Sequence, residues 1–148
     1  MGNVTIQSPP NSGSYYYNYK GTLSMVLLAL VDSCYKFIIV DVGTPGRNSD
    51  SGTLAHSTLG MALEARKLHV SSPCFIPGAE DLGSMPYFFV GDEAFPMKLN
   101  LMRIYPGNDQ PKSRILNYRL WRAQRCVENA FSILATRWRI FHRKIYRS

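Results

Sequence analysis

Apolar and polar positions change their period several times along the chain, and each change marks an element. Residues 22–32 and 35–42 are apolar, β-branched runs divided by a short polar step, and they read as a β-hairpin. Ahead of them, residues 3–7 read as the end of a strand, followed by the turn PPNSGS. Beyond them, GTPGRNSDSG is a Gly/Pro/Ser loop, and DSGTLAHSTLGMALEARKL takes on helical spacing. At ~100° per residue, Leu54, Met61, Ala62, Ala65 and Leu68 share one face, with Ala55 and Leu59 at its edge. Ser49, Asp50 and Ser51 are candidate caps of that helix. Residues 71–86, punctuated by Pro73, Pro77, Gly78, Gly83 and Pro86, read as an irregular loop. YFFVGDEAFP then reads as a short buried strand ending at a Gly-Asp step. A short helix is expected over 99–104, a loop at YPGNDQPK, and a long helix from about 113 to 139. Strands and helices alternate, so the fold class is α/β, in a single domain spanning 1–148.

The long helix divides by angle. Taking Glu128 as zero and ~100° per residue, Ile115, Leu116, Leu120, Ala123, Cys126, Val127, Ala130, Phe131, Ile133, Leu134 and Trp138 fall on one broad arc, the expected core face. Arg114, Asn117, Trp121, Gln124, Arg125, Glu128 and Ser132 fall opposite, leaving Glu128 as a lone carboxylate on a basic stripe. Its simplest role there is an ion pair with Arg125, worth ~0.2–0.5 kcal/mol.

Charge sharpens this picture. The net charge is +7, but residues 1–111 hold seven Lys/Arg against nine Asp/Glu, whereas residues 112–148 hold ten against Glu128 alone. The basic character is therefore a property of the last helix and tail. Aromatic residues interleave with it (Tyr118, Trp121, Phe131, Trp138, Phe141, Tyr146), as suits a phosphate-facing surface with stacking rings. The 45% hydrophobic content argues for a packed core, no window reaches a membrane-spanning length, and residues 1–20 have no signal-peptide pattern, so a soluble intracellular protein is expected. Cys34, Cys74 and Cys126 form no CxxC pair, and His56, His69 and His142 lack ligand spacing, which argues against a thiolate or imidazole metal site.

Carboxylates at strand ends are the remaining chemistry. Asp92 stands where YFFV runs out, Asp41 ends FIIVD, and Asp50 lies in the loop beyond it. Hard divalent ions are held by one or two such carboxylates together with phosphate oxygens and water.

PPNSGSYYYNYKGTLSMVLLALVD, FIIVDVGTPGRNSDSG, YFFVGDEAFPMKLNLMRIYPG and ILNYRLWRAQRCVENAFSILATRWRIF together resemble consecutive blocks of the PIF/Harbinger-type transposase-derived nucleases, the DDE superfamily endonuclease domain. The resemblance implies an RNase H-like fold: a mixed sheet with flanking helices, carrying carboxylates that hold Mg²⁺ or Mn²⁺ for DNA strand cleavage and transfer. It maps the family's acids onto Asp50 in PGRNSDS, Asp92 in GDEAFP and Glu128 in VENAF, with 35 residues between the last two. It sets Arg122 and Arg125 near the scissile phosphate. Arg119 is assigned with them, although its helical angle points to the core arc. Asp41 is assigned a supporting part.

The resemblance also implies a first catalytic Asp in an Asp-Gly word that falls immediately before Met1, and no Asp or Glu precedes Asp32. An N-terminally truncated catalytic core, with an incomplete first strand, is therefore expected. Two functions follow from the resemblance. One is a metal-dependent DNA endonuclease of the transposase type, impaired by loss of that Asp. The other is a catalytically inactive, domesticated module that binds DNA or protein through its basic helix. Nuclear localisation, DNA as partner and a separate DNA-binding protein belong to the same expectation.

Overall fold

The computed structural model describes residues 2–68, 70–106 and 111–138. Its first layer is an antiparallel sheet of β1 (Gly2–Thr5), β2 (Ser24–Val31) and β3 (Phe37–Pro45), in that order. The expected hairpin is β2–β3, paired from Met25↔Pro45 to Val31↔Phe37, with irregularities between Val26 and Leu27 and between Leu30 and Val31. Its turn is closed by Asp32, whose Oδ1 accepts from the amides of Cys34 (2.8 Å) and Lys36 (2.9 Å) while Tyr35 takes a positive φ. β3 runs past the predicted end, so Asp41 sits within the strand rather than at its tip. β1 pairs with residues 24–27 of β2 only, from Thr5↔Ser24 to Gly2↔Leu27.

The helix predicted over 50–68 is two helices, α1 (Asp50–His56) and α2 (Thr58–Glu64). Ser57 breaks it. Its backbone is extended (ψ 156), its hydroxyl donates to the Leu54 carbonyl at 2.7 Å, and the same oxygen accepts from the Gly60 amide at 2.9 Å. A serine that caps a new helix in this way competes with helix continuation. Gly60 is obligatory at the break, since a Cβ there would lie 1.7 Å from the Leu54 carbonyl oxygen. The kink also changes the buried face: Leu54, Leu59 and Leu63 are buried, while Met61, expected inside, is 57% exposed. These leucines pack with Leu28, Phe95 and Leu101 into the core, and Leu30, Ile39, Leu68 and Phe89 lean against it.

Residues 71–86 are largely irregular, as expected. They contain a two-residue ladder of β4 (Cys74–Phe75) with β5 (Ser84–Met85) and a 3₁₀ turn at Glu80–Leu82. The GD-terminated strand is β6 (Phe89–Val90), half-buried rather than fully buried. The helix expected over 99–104 is instead a strand, β7 (Leu101–Met102), parallel to β6. The Phe89 amide donates to Asn100 O at 2.9 Å and the Gly91 amide to Met102 O at 2.8 Å, taking carbonyls that a helix would need for itself. Leu101 is thereby buried while Leu99 points out.

α3 (Pro111–Arg137) is the predicted long helix, and the expected end at 139 lies outside the described residues. Proline is well suited to its first turn, where an amide has no helical acceptor. The helix packs on β2 and β6. Its more buried stripe runs through Asn117, Leu120, Gln124, Val127, Ala130, Phe131 and Leu134, turned by roughly 50° from the predicted arc at ~100° per residue. Ile115, Leu116, Ala123 and Ile133 are consequently exposed, and Asn117, expected on the polar side, is 8% exposed. Asn117 is satisfied by main chain: its Oδ1 accepts from the Tyr105 amide at 2.9 Å and its Nδ2 donates to the Tyr105 carbonyl at 3.0 Å. Phe131 reaches the sheet, its ring edge-on to Phe37 at 5.6 Å between centroids. The protein is thus a mixed α/β fold of small sheets and three α-helices among the described residues.

Candidate active site

β6 delivers Asp92. The strand ends at Gly91, where a Cβ would stand 2.7 Å from the Phe95 ring and 3.1 Å from Leu101, so glycine lets the backbone pass between core side chains. The next residue turns sharply. Asp92 O accepts from the Phe95 amide at 3.0 Å, and Asp92 Oδ1 has a longer contact from the Ala94 amide at 3.3 Å. The carboxylate is therefore placed by its own turn and by Phe95, which is buried in the core.

α3 delivers Glu128. The turned packing of the helix brings Glu128 to the margin of the buried stripe instead of leaving it opposite the core. Asp92 and Glu128 line one cavity of about 330 Å³, walled by Gly2, Asn3 and Val4 of β1, Leu27 of β2, and Gln124, Val127 and Phe131 of α3. A neighbouring cavity of about 270 Å³ shares Asp92, Gln124 and Val127 with it. This second cavity follows consecutive residues 28–31 of β2 and 88–92 around β6, beneath α3. It runs along two strand edges, since a sheet face would present only alternate residues.

Among the described residues no cation pairs with either carboxylate, and the ion pair found there is Lys98 with Glu64. The expected Arg125–Glu128 pair is not formed. Arg125 lies over the Trp121 ring at 5.1 Å and Arg122 over Tyr118 at 6.0 Å. Arg119, whose angle pointed to the core arc, is exposed along with them.

The other acids lie elsewhere. Asp50 is the half-buried first residue of α1, after the cap Ser49, and is not among the residues lining the Asp92–Glu128 cavity. Asp41 is used by the fold: its Oδ2 accepts from the Thr58 amide at 3.1 Å, at the start of α2. Among the described residues no three His, Cys, Asp or Glu side chains are drawn into one cluster. Gln124 was not singled out from the sequence, yet it borders both cavities one helical turn before Glu128. The i, i+4 spacing of the two residues was the available signal.

Two carboxylates on an open, partly polar cavity make a donor set that a hard divalent ion accepts, with phosphate and water completing the shell. The arrangement fits an oxygen-ligated ion: no Cys or His lines the Asp92–Glu128 cavity, and Cys126 borders only the neighbouring one.

An α/β scaffold that brings acids from a strand end and from a long basic helix to one cavity is the type expected of a nuclease. The family comparison assigns the chain directly: the model of the DDE superfamily endonuclease family matches residues 2–148, and the chain belongs to that family. No curated protein and no solved structure matches the chain. Among the described residues, no helix is long and apolar enough to cross a membrane.

Proposed function

We propose that the chain is a divalent-metal-dependent DNA nuclease of the PIF/Harbinger transposase type, with Asp92 and Glu128 as its metal-holding acids. The observation that carries this reading is their meeting on one cavity, from β6 and from α3, with 35 residues of sequence between them. The RNase H-like arrangement is part of the proposal, supported by an antiparallel β1–β2–β3 sheet with the parallel β6–β7 pair and α3 packed beside it. Asp50 is assigned a part in metal holding through the resemblance alone.

Asp92 and Glu128 would hold the Mg²⁺ or Mn²⁺, whose chemistry there would be to polarise the phosphate and lower the pKa of an attacking water or 3′-hydroxyl. The side chains do the rest. Asp92 is held in its turn, so its oxygens need little reordering to serve as ligands. Glu128 approaches from an element that packs on both β2 and β6. Gln124, an amide donor on the same wall, would orient a phosphate oxygen. Arg122, Arg125 and Arg119 would hold the flanking DNA backbone, where charge-assisted contacts position without reading sequence. Nuclear localisation and a separate DNA-binding partner complete the proposal.

The test is nicking of supercoiled DNA in Mg²⁺ or Mn²⁺. Metal-dependent nicking that is lost in Asp92→Asn and in Glu128→Gln supports the enzyme; salt-sensitive DNA binding with no metal-dependent nicking replaces it with the inactive binding module. That second reading has an observation of its own, since Asp50 does not join the other two acids on the cavity.

A further inference from the structure

A separate open recess of about 490 Å³ lies where the chain beyond β7 crosses α3. Tyr105 and Pro106 border it from one side and Tyr118 and Trp121 from the other, with Glu93 and Arg114 as its charged lining. Its size is that of a small-ligand cleft. Tyr118 and Trp121 are 58% and 46% exposed, so neither ring is used in the core.

We propose that this recess takes one unstacked nucleobase of a DNA strand, stacked against Trp121 and Tyr118, with Arg114 on the adjoining phosphate. The proposal rests on the nuclease reading above and names a subsite for it. The rings are already dressed for such a ligand: Arg125 lies over Trp121 and Arg122 over Tyr118, so each aromatic face has a guanidinium beside it to meet the backbone of a stacked strand. The recess is also preformed. The two hydrogen bonds between Asn117 and the Tyr105 backbone fix the Tyr105 wall to α3, one residue before Tyr118. Across from it, the Arg103 guanidinium donates to the Glu93 carbonyl and anchors that residue's backbone.

Two further features define the ligand. A carboxylate only accepts hydrogen bonds, so Glu93 favours cytosine, whose exocyclic amino group offers two donor hydrogens, over thymine, which offers only its N3–H. Glu93 also directly follows Asp92 in the chain, so the base held here would belong to a nucleotide close to the phosphate at the carboxylates. Extraction of that base would bend the strand away from duplex geometry at the point of attack, and single-stranded DNA, with its bases already unstacked, would bind without that cost.

Trp138→Phe leaves Trp121 as the single tryptophan, and its fluorescence is then titrated with short oligo(dC), oligo(dT) and a duplex of equal length. Saturable quenching by the single strands is expected, with oligo(dC) bound more tightly than oligo(dT). Trp121→Ala should weaken single-strand binding by about tenfold or more, Trp121→Phe should restore most of it, and duplex affinity should fall far less than single-strand affinity. Glu93→Gln should erase the preference for oligo(dC). Single-strand binding with an unquenched Trp121, or equal losses for duplex and single strand in Trp121→Ala, overturns the base subsite and leaves the nuclease reading standing. Failure to bind either form of DNA at low salt overturns both.

Discussion

Asp41 and Asp92 follow apolar runs of nearly the same reading, FIIVD and YFFVGD, yet the fold uses the two acids differently. At β3 the carboxylate accepts the Thr58 amide and becomes part of the start of α2. At β6 an inserted glycine lets the chain turn before the acid arrives, so Asp92 faces a cavity shared with Glu128. An acid whose oxygen already receives a helix amide is oriented by the fold, and turning that oxygen towards an ion would cost the amide its partner. An acid held mainly by its own turn is available to a ligand. The local hydrogen bonds separate a supporting carboxylate from a reactive one where strand-end position does not.

The largest expected effect falls on the available acid. Asp92→Asn keeps the size of the side chain and its contact with Ala94 but removes the charge, so metal-dependent nicking should fall by more than about 100-fold with little change in Tm. A variant with undiminished nicking would break the comparison at once. Gly91→Ala tests the glycine that distinguishes the two acids. Its methyl meets the Phe95 ring at 2.7 Å, so overpacking should cost about 1–3 kcal/mol in thermal or denaturant unfolding and reduce nicking through a displaced Asp92. Asn117→Ala removes both bonds to Tyr105 and leaves the two main-chain groups short of partners, about 1–3 kcal/mol by denaturant unfolding.

How far the sequence reached follows the same division between local and long-range determinants. The β2–β3 hairpin and α3 were legible because their signals are local: β-branched runs around a polar step, and a long helical period opened by a proline. The break at Ser57 was also local, a serine three residues before Gly60, but the apolar period ran across it and concealed it. The strand β7 was not legible, since Leu101 and Met102 adopt it only because β6 offers parallel partners from twelve residues earlier in the chain. The angular error on α3 had a similar origin. Apolar spacing placed Ile115 and Ile133 inside, whereas the sheet and the Tyr105 backbone drew in Asn117 and Gln124. That rotation carried Glu128 from a supposed ion pair to the cavity. The acids at 92 and 128 could be named from motifs, but their meeting, and the exclusion of Asp50 from that cavity, depended on packing that no local spacing encodes.

The smallest expected effect is at the other end of the comparison. Asp41→Ala removes one acceptor, and a negative charge, from the first turn of α2, while Ser57 keeps its own bond to Gly60. Loss of a single acceptor of this kind at a helix start typically costs about 1 kcal/mol, and Asp41→Asn, which retains an oxygen acceptor, should cost less. Both variants should nick DNA at the parent rate under conditions where they stay folded, because the cavity that holds Asp92 and Glu128 is lined by neither Asp41 nor Thr58. Nicking by Asp41→Ala and Asp41→Asn, measured alongside their unfolding midpoints, therefore bears directly on the distinction. If Asp41→Asn loses nicking while its Tm matches the parent, Asp41 carries charge that the reaction needs, and hydrogen bonding to a helix amide does not by itself mark an acid as structural.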